Sequence, residues 1–170
     1  TRIGSKFLNA GPGFGGSCFQ KDVLNMIYLC RYYGLEEVAN YWEQVIHLNE
    51  WQKTRISKLI VETFFGTVSS KKIAILGFAF KSNTNDTRES PAISITRELL
   101  DNGANLFIHD PKVSEEQVSK IFNNKDLNLK EVYTESTWYF TKDIYLACEG
   151  ADAVIILTEW DDYSKIDWVA

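Results

Sequence analysis

The stretch Lys72-Ile-Ala-Ile-Leu-Gly-Phe-Ala-Phe-Lys81 decides the fold class of this 170-residue chain. Its first five residues form a short apolar run that ends at Gly77, a pattern typical of a strand buried in a parallel sheet. Two further apolar runs, over residues 105–110 and 153–157, predict additional strands, and helical patterns separate them. Strands that alternate with helices indicate βαβ units, so the sequence predicts a doubly wound, Rossmann-like parallel α/β fold.

Apolar residues at helical spacing predict helices on both sides of this stretch. Residues 19–33 and 35–65 form two such patterns, and the second contains neither Pro nor Gly. A helix that long exceeds the usual globular range, and such helices often bridge domains or pair across a subunit interface. Further helices are predicted over residues 91–102, 114–122 and 142–149, with a short strand over residues 138–140. The polar residues 123–136 give no clear prediction.

The character of the sequence changes at Gly66, which predicts two domains. We expect a helical domain over residues 1–67 and an α/β domain over residues 68–170. The chain lacks an initiator Met, and its strand pattern stops abruptly at its end. We therefore expect it to be a piece of a longer protein, with the α/β domain incomplete.

The composition argues against several classes of function. The formal net charge is −5 with both signs interspersed, which argues against nucleic acid as the main partner. No apolar run is long enough for a membrane helix, so we expect no membrane partner, and the first residues have no signal-peptide pattern. The three cysteines fit neither a zinc site nor a closed disulfide framework, and two histidines offer little for a metal site. We predict a cytoplasmic protein without a bound metal.

The stretch Asn9-Ala-Gly-Pro-Gly-Phe-Gly-Gly-Ser-Cys-Phe-Gln-Lys-Asp22 carries the most chemical information. Glycine-rich backbone can approach a ligand closely and offers its N–H groups to an anion. Ser17 is a good N-cap for the helix that follows, so Cys18 is expected in the first helical turn. The helix dipole there favours a thiolate, the nucleophilic form of cysteine. Asp22 lies one turn further on the same face.

Four segments together resemble the UDP-glucose dehydrogenase family, within the larger group of UDP-glucose/GDP-mannose dehydrogenases. Residues 7–22 resemble its catalytic-cysteine motif, in wording closest to the animal enzymes. Residues 75–81, Ile-Leu-Gly-Phe-Ala-Phe-Lys, resemble the opening of its nucleotide-sugar domain. Residues 86–91, Asp-Thr-Arg-Glu-Ser-Pro, and residues 158–160, Thr-Glu-Trp, resemble two later segments, and all four occur in the expected order.

The resemblance implies an NAD-dependent oxidation of UDP-glucose to UDP-glucuronate in two steps. From the length and apolar residues of the long central helix we expect self-association through it, as a dimer or higher homo-oligomer. The resemblance implies that Cys18 is the nucleophile, forming a thiohemiacetal and then a thioester, and that Asp22 orients water. It implies that Lys21 and Arg88 contact NAD. The residues that it implies for nucleotide-sugar binding are Arg2, Lys6, Phe7, Leu8, Asn9, Ala10, Gly11, Gly15, Phe19, Phe80 and Lys81.

The family's dinucleotide fingerprint is a G-x-G-x-x-G that directly follows a strand, and none of the strands predicted in these 170 residues is followed by one; the same spacing over residues 11–16 follows no predicted strand. We therefore interpret the chain as the central domain plus part of the C-terminal domain, without the N-terminal NAD-binding domain, and expect this piece alone to be inactive. Alternatives remain a GDP-mannose or UDP-N-acetylmannosamine dehydrogenase, and a non-catalytic nucleotide-sugar-binding dimerisation module. An unrelated thiol enzyme such as an acyltransferase is less favoured, because Cys18 has no evident histidine partner.

Several other reactive residues are interpreted as structural. Cys30 lies on the apolar face of the first helix pattern, and Cys148 lies near a helix end. His47 falls within the long helix and His109 ends a strand, so neither is expected to be catalytic. Asp110 follows the same strand and precedes Pro111, where we expect it to cap a loop.

Overall fold

The computed structural model describes residues 10–123 and 137–168, and its centre is a four-stranded sheet. The strands are β1 (Lys72–Leu76), β2 (Asn105–His109), β3 (Trp138–Thr141) and β4 (Ala153–Ile156). Their order in the sheet is β3-β2-β1-β4, and every neighbouring pair is parallel. The parallel α/β fold predicted from the sequence is confirmed.

The strand order reverses at β1. The chain runs outward from β1 through β2 to β3 and then returns to place β4 on the other side of β1. In open parallel sheets such a reversal leaves a crevice beyond the carboxyl ends of the two strands that flank it. Here those ends lead into Gly77 after β1 and into residues 157–160 after β4, so both segments stand at the crevice.

The described helices begin and end within two residues of their predicted bounds. They are α1 (Phe19–Tyr32), α2 (Glu36–Thr63), α3 (Pro91–Asp101), α4 (Glu115–Phe122) and α5 (Ile144–Cys148), with a short 3₁₀ helix over Asp161–Lys165. Local chemistry explains two of the starts: Ser90 caps α3 ahead of Pro91, and Ser114 forms a capping box with Gln117 at α4. Of the polar segment 123–136, all but residue 123 lies outside the described residues.

Two apolar clusters hold these elements together. The larger one surrounds the sheet, with Ile73, Ile75 and Leu76 of β1 fully buried. The smaller one joins α1 to the start of α2 through Val23, Ile27 and Ala39. Because Trp42 and Ile46 pack on the smaller cluster and Ile56 and Ile60 on the larger one, the single helix α2 belongs to both. The predicted domain boundary after residue 67 remains a prediction.

None of the helices in the described ranges is long and apolar enough to cross a membrane.

Candidate functional site

Two loops that are about seventy residues apart in sequence meet beside the sheet. We call residues 10–18 the glycine loop and residues 77–90 the strand-end loop. The N–H of Gly16 donates to the carbonyl oxygen of Arg88 at 2.8 Å. The Phe80 ring lies against Gly16, 2.8 Å from where a β-carbon of residue 16 would stand. The carbonyl oxygen of Glu89 occupies the place that a β-carbon of Gly15 would need. The glycines therefore let the two loops form one surface at the crevice.

Cys18 stands at the start of α1, on this surface. The prediction that Ser17 caps the helix is wrong, since Cys18 itself is the N-cap residue and no side chain caps the helix. The Ser17 hydroxyl instead lies 3.5 Å from the Cys18 sulfur. Within the described ranges, the N–H groups of Phe19, Gln20 and Lys21 have no protein acceptor. This helix start thus keeps its N–H groups and its partial positive charge available to an anion.

The three free cysteines differ in their surroundings. Cys18 is exposed, whereas Cys30 and Cys148 are half-buried against the two apolar clusters. Burial raises the pKa of the Cys148 thiol, which disfavours its reactive form. This supports the interpretation of Cys30 and Cys148 as packing residues and leaves Cys18 as the thiol that a large substrate can reach.

The first turn of α1 carries a pair of opposite charges. The Lys21 ammonium and the Asp22 carboxylate are 4.0 Å apart, and both side chains are about three-quarters exposed. Such a pair contributes little to stability. Asp22 follows Cys18 by one helical turn, since its N–H donates to the Cys18 carbonyl oxygen at 2.8 Å. Both charged groups are therefore available to a ligand or to water beside the thiol.

The strand-end loop presents an aromatic ring and a cation after β1. The backbone N–H of Phe80 donates to the Asp86 carbonyl oxygen at 3.0 Å, which closes the loop. The Lys81 side chain is exposed, and its ammonium lies 5.3 Å from the centre of the Phe80 ring. A ring and a cation side by side suit a ligand that has both an apolar or aromatic part and a negative charge.

Arg88 is held by Asp86. Its Nε and Nη2 atoms both donate to the Asp86 carboxylate at 2.7–3.2 Å, and its backbone N–H donates to the same group. These bonds from Arg88 lower the pKa of Asp86. The pKa of Arg88 is raised, mainly by its hydrogen bonds to the Asp86 carboxylate and by the charge of that group. The guanidinium is therefore held in one position in the strand-end loop, where the Asp86 carboxylate partly neutralises its charge.

A buried carboxylate supports the strand-end loop from below. Asp110 is fully buried and accepts five hydrogen bonds: from the backbone N–H groups of Phe78, Ala79, Lys112 and Val113 at 2.8–3.0 Å, and from the Trp160 ring at 3.3 Å. The predicted loop-capping role of Asp110 is confirmed. The Thr158 hydroxyl adds a bond to the Ala79 carbonyl oxygen at 2.6 Å. The ends of β1, β2 and β4 are thus joined directly beneath Phe80.

The structure describes only some of the remaining predicted binding residues. Arg2, Lys6, Phe7, Leu8 and Asn9 lie outside the described residues. Ala10 and Gly11 are exposed at the start of the glycine loop. Phe19 is 42 % exposed and contacts the Phe14 ring edge-on, with the ring centres 4.6 Å apart.

Sequence reasoning missed the residues of α2 that hold the glycine loop. Asn49 is buried and bonds to the backbone of Phe14, and Gln52 donates to the Gly11 carbonyl oxygen at 3.2 Å. A signal was present, because Asn49 and Lys53 interrupt the apolar stripe that runs from Ile46 to Ile60. A polar residue on the buried face of a helix usually has a specific partner.

Comparisons with known proteins match nearly the whole chain. The family model of the UDP-glucose/GDP-mannose dehydrogenase UDP binding domain matches residues 74–170, and the model of the central domain of that family matches residues 1–51. The chain is 52 % identical to the UDP-glucose 6-dehydrogenase of Bos taurus over 98 % of its length and 50 % identical to that of Drosophila melanogaster over 99 %. It spans about a third of the length of these relatives, 34 % and 35 % respectively.

Solved structures show the same architecture. A UDP-glucose dehydrogenase from Pyrobaculum islandicum superposes with a TM-score of 0.77 at 32 % identity, over 98 % of this chain and 35 % of that one. A GDP-mannose dehydrogenase from Pseudomonas aeruginosa superposes with a TM-score of 0.72 at 22 % identity, over 95 % of this chain and 36 % of that one. The second likeness shows the fold alone.

Proposed function

Because the chain belongs to the UDP-glucose/GDP-mannose dehydrogenase family, we propose that its protein oxidises the C6 alcohol of UDP-glucose to the carboxylate of UDP-glucuronate. The observation that carries this proposal is the exposed thiol of Cys18 at an uncapped helix start, on a surface shared with the strand-end loop. An alcohol-to-acid oxidation passes through an aldehyde, which an enzyme nucleophile can hold for the second oxidation, and a thiol in this setting is suited to that task.

The proposed chemistry at Cys18 has three steps after the alcohol has become an aldehyde. The thiolate adds to the aldehyde carbon, so that a C–S bond forms and the carbonyl oxygen becomes the oxygen of a thiohemiacetal. Loss of a hydride from the same carbon gives a thioester. Water then attacks the thioester carbon, the C–S bond breaks, and the carboxylate product leaves while the thiol is regenerated. The uncapped N–H groups at the start of α1 suit stabilisation of the negative oxygen in the first and third steps.

NAD⁺ would supply the hydride acceptor for both oxidations. The residues of this chain fit the edge of such a site, since Lys21 and Arg88 are exposed cations, each beside one carboxylate, at the glycine loop and the strand-end loop. None of the predicted strands in the 170 residues is followed by a G-x-G-x-x-G, so the main part of a dinucleotide site is not expected within them. In this proposal Asp22 orients the attacking water beside Cys18.

The nucleotide-sugar is proposed to bind between the two loops. Lys81 counters the charge of the diphosphate, and Phe80 contacts the nucleotide at the end of β1. The glycine loop contributes backbone groups and Phe19 a ring face. The remaining proposed contacts are made by Arg2, Lys6, Phe7, Leu8, Asn9, Ala10, Gly11 and Gly15.

GDP-mannose and UDP-N-acetylmannosamine are the alternative substrates. UDP-glucose is favoured because relatives named UDP-glucose 6-dehydrogenase are about half identical to this chain, whereas the GDP-mannose enzyme shares 22 %. The test measures NADH formation by the full-length natural protein with each of the three nucleotide-sugars. We expect two NADH per UDP-glucose consumed, and preferential turnover of another sugar nucleotide would overturn the assignment.

The 170 residues alone are expected not to reduce NAD⁺. Hydride transfer needs the nicotinamide within about 3–3.5 Å of the reacting carbon, and these residues lack a glycine fingerprint placed after a strand, which would hold it there. NADH absorbance at saturating UDP-glucose and NAD⁺ is the measurement, with the full-length protein as the positive control. Sustained NADH production in proportion to the amount of pure 170-residue chain would contradict the expectation.

We further propose that α2 forms a subunit interface. Tyr41, Leu48, Trp51 and Leu59 of this helix are each more than half exposed, although Trp42, Ile56 and Ile60 pack within the chain itself. Large apolar side chains exposed along one helix suit contact with a second copy. Sedimentation equilibrium of the 170-residue chain at micromolar concentration should show at least a dimer. A folded monomer at every concentration would count against this interface.

A further inference from the structure

One side chain of α2 pairs with both backbone polar groups of Phe14 in the glycine loop. The Phe14 N–H donates to Oδ1 of Asn49 at 2.8 Å, and Nδ2 of Asn49 donates to the Phe14 carbonyl oxygen at 3.0 Å. A neighbouring β-strand would supply the same two-point pairing. Two bonds to one residue fix the orientation of that part of the backbone as well as its distance from α2.

The surroundings of Asn49 leave it little freedom. Its side chain is buried, and a β-carbon on Gly13 would stand 2.9 Å from its Oδ1 atom. Lys53, one turn further along α2, is also buried and pairs with Glu50 at 2.7 Å. Gln52 adds a more exposed bond to the Gly11 carbonyl oxygen. The side of α2 that carries Asn49, Gln52 and Lys53 therefore packs against the backbone of the glycine loop.

This arrangement selects which groups of the loop remain available to a ligand. Phe14 uses its N–H on Asn49, and Gly16 uses its N–H on the Arg88 carbonyl oxygen. Within the described ranges, the N–H groups of Gly13 and Gly15 have no protein acceptor. A loop held at Phe14 and Gly16 keeps these neighbouring donors in a fixed arrangement, which lowers the ordering cost of binding an anionic ligand.

We propose that Asn49 is a positioning residue for nucleotide-sugar binding, which acts by fixing the backbone of the glycine loop through Phe14. The inference rests on the proposed function and adds to it a residue that does not itself contact the ligand. Asn49 acts on the loop before Cys18, while the start of α1 is held by the helix's own hydrogen bonds. Loss of the amide therefore weakens substrate binding more than it changes the chemistry at the thiol.

The test compares Asn49→Ala and Asn49→Asp with wild type in the full-length protein. The aspartate keeps an acceptor for the Phe14 N–H but cannot donate to the Phe14 carbonyl oxygen when ionised. Asn40→Ala is the matched control, because Asn40 is an exposed asparagine of the same helix, more than two turns away from Asn49. Two readouts are taken: hydrogen exchange of peptides covering residues 10–18, and the KM and kcat for UDP-glucose.

For Asn49→Ala we expect the loop to exchange about tenfold faster and KM to rise about tenfold, the effect of losing two ordinary hydrogen bonds. We expect kcat to change by less than about threefold, because an interaction that serves binding alone mainly alters KM. The loop exchange rate and the KM of Asn49→Asp should fall between those of Asn49→Ala and wild type. If the alanine variant does not fold, Asn49→Asp alone provides the comparison with wild type. Asn40→Ala should match wild type in both readouts.

Unchanged loop exchange in the Asn49 variants would overturn the inference. An unchanged KM would overturn it as well. So would a fall of about tenfold in kcat while KM stays constant. A wild-type protein that does not turn over UDP-glucose would instead count against the proposed function. In that case the exchange rates of residues 10–18 still decide whether Asn49 fixes the loop.

Discussion

Replacing Cys18 with serine in the full-length protein is expected to abolish formation of UDP-glucuronate. Serine preserves the size of the side chain, but its hydroxyl is a far weaker nucleophile than a thiolate and a far poorer leaving group than a thiol. We expect kcat for acid formation to fall by more than about a thousandfold, as happens when a catalytic nucleophile is removed. The measurement is UDP-glucuronate produced over many turnovers, together with NADH.

Cys30→Ser is the matched control for this variant. Cys30 lies on the same helix but packs against the smaller apolar cluster, so its replacement should lower stability slightly and leave kcat within about twofold of wild type. Near wild-type acid formation by Cys18→Ser would show that Cys18 is not the nucleophile. A large loss in both variants would point to helix α1 as a whole rather than to the thiol.

Gly15→Ala is expected to have the next largest effect. A β-carbon at residue 15 would overlap the carbonyl oxygen of Glu89, which is backbone and cannot rotate away. The glycine loop and the strand-end loop would then have to separate, which displaces Cys18 relative to Phe80 and Lys81. Misplacement of reacting groups by about 1 Å can cost on the order of a hundredfold in rate, so we expect that loss in kcat/KM.

The control for this variant is Gly34→Ala. Gly34 has φ +72° in the turn between α1 and α2, with no heavy atom near a built β-carbon. That substitution carries the backbone strain of replacing a glycine without a clash between loops. We expect it to lower the melting temperature while kcat/KM stays near wild type. If Gly15→Ala kept full activity, the contact between the two loops would not matter for catalysis.

The fold followed from local features of the sequence. The apolar run before Gly77, the helical spacing of the apolar residues and the long stretch without Pro or Gly each specify an element through nearby residues. Parallel pairing then follows from the alternation of strands and helices. Because these signals act over a few residues, they could be interpreted without knowledge of any distant contact.

The candidate site could be predicted only in part. The glycine loop, Cys18 and the strand-end residues Phe80 and Lys81 were identified by motif and by position at a strand end. The bonds from Asn49 to Phe14 and from Gly16 to Arg88 join residues 35 and 72 positions apart, and no local pattern encodes them. The Ser17 prediction failed because N-cap propensity describes helices in general, and this helix start is left uncapped.

Because α2 is long, a small bend in its axis would move the glycine loop by a large distance. At 1.5 Å per residue, Asn49 lies about 20 Å from the first turn of the helix, which packs on α1. If the glycine loop must stay within about 1 Å of its place to bind the substrate, the helix axis cannot bend by more than about 3° over that distance. The absence of Pro and Gly from Glu36–Thr63 is then a requirement for stiffness. A glycine introduced on the exposed face of this helix would make the helix more flexible at that point. The glycine loop would then be held less firmly beside Cys18, although the substituted residue contacts neither.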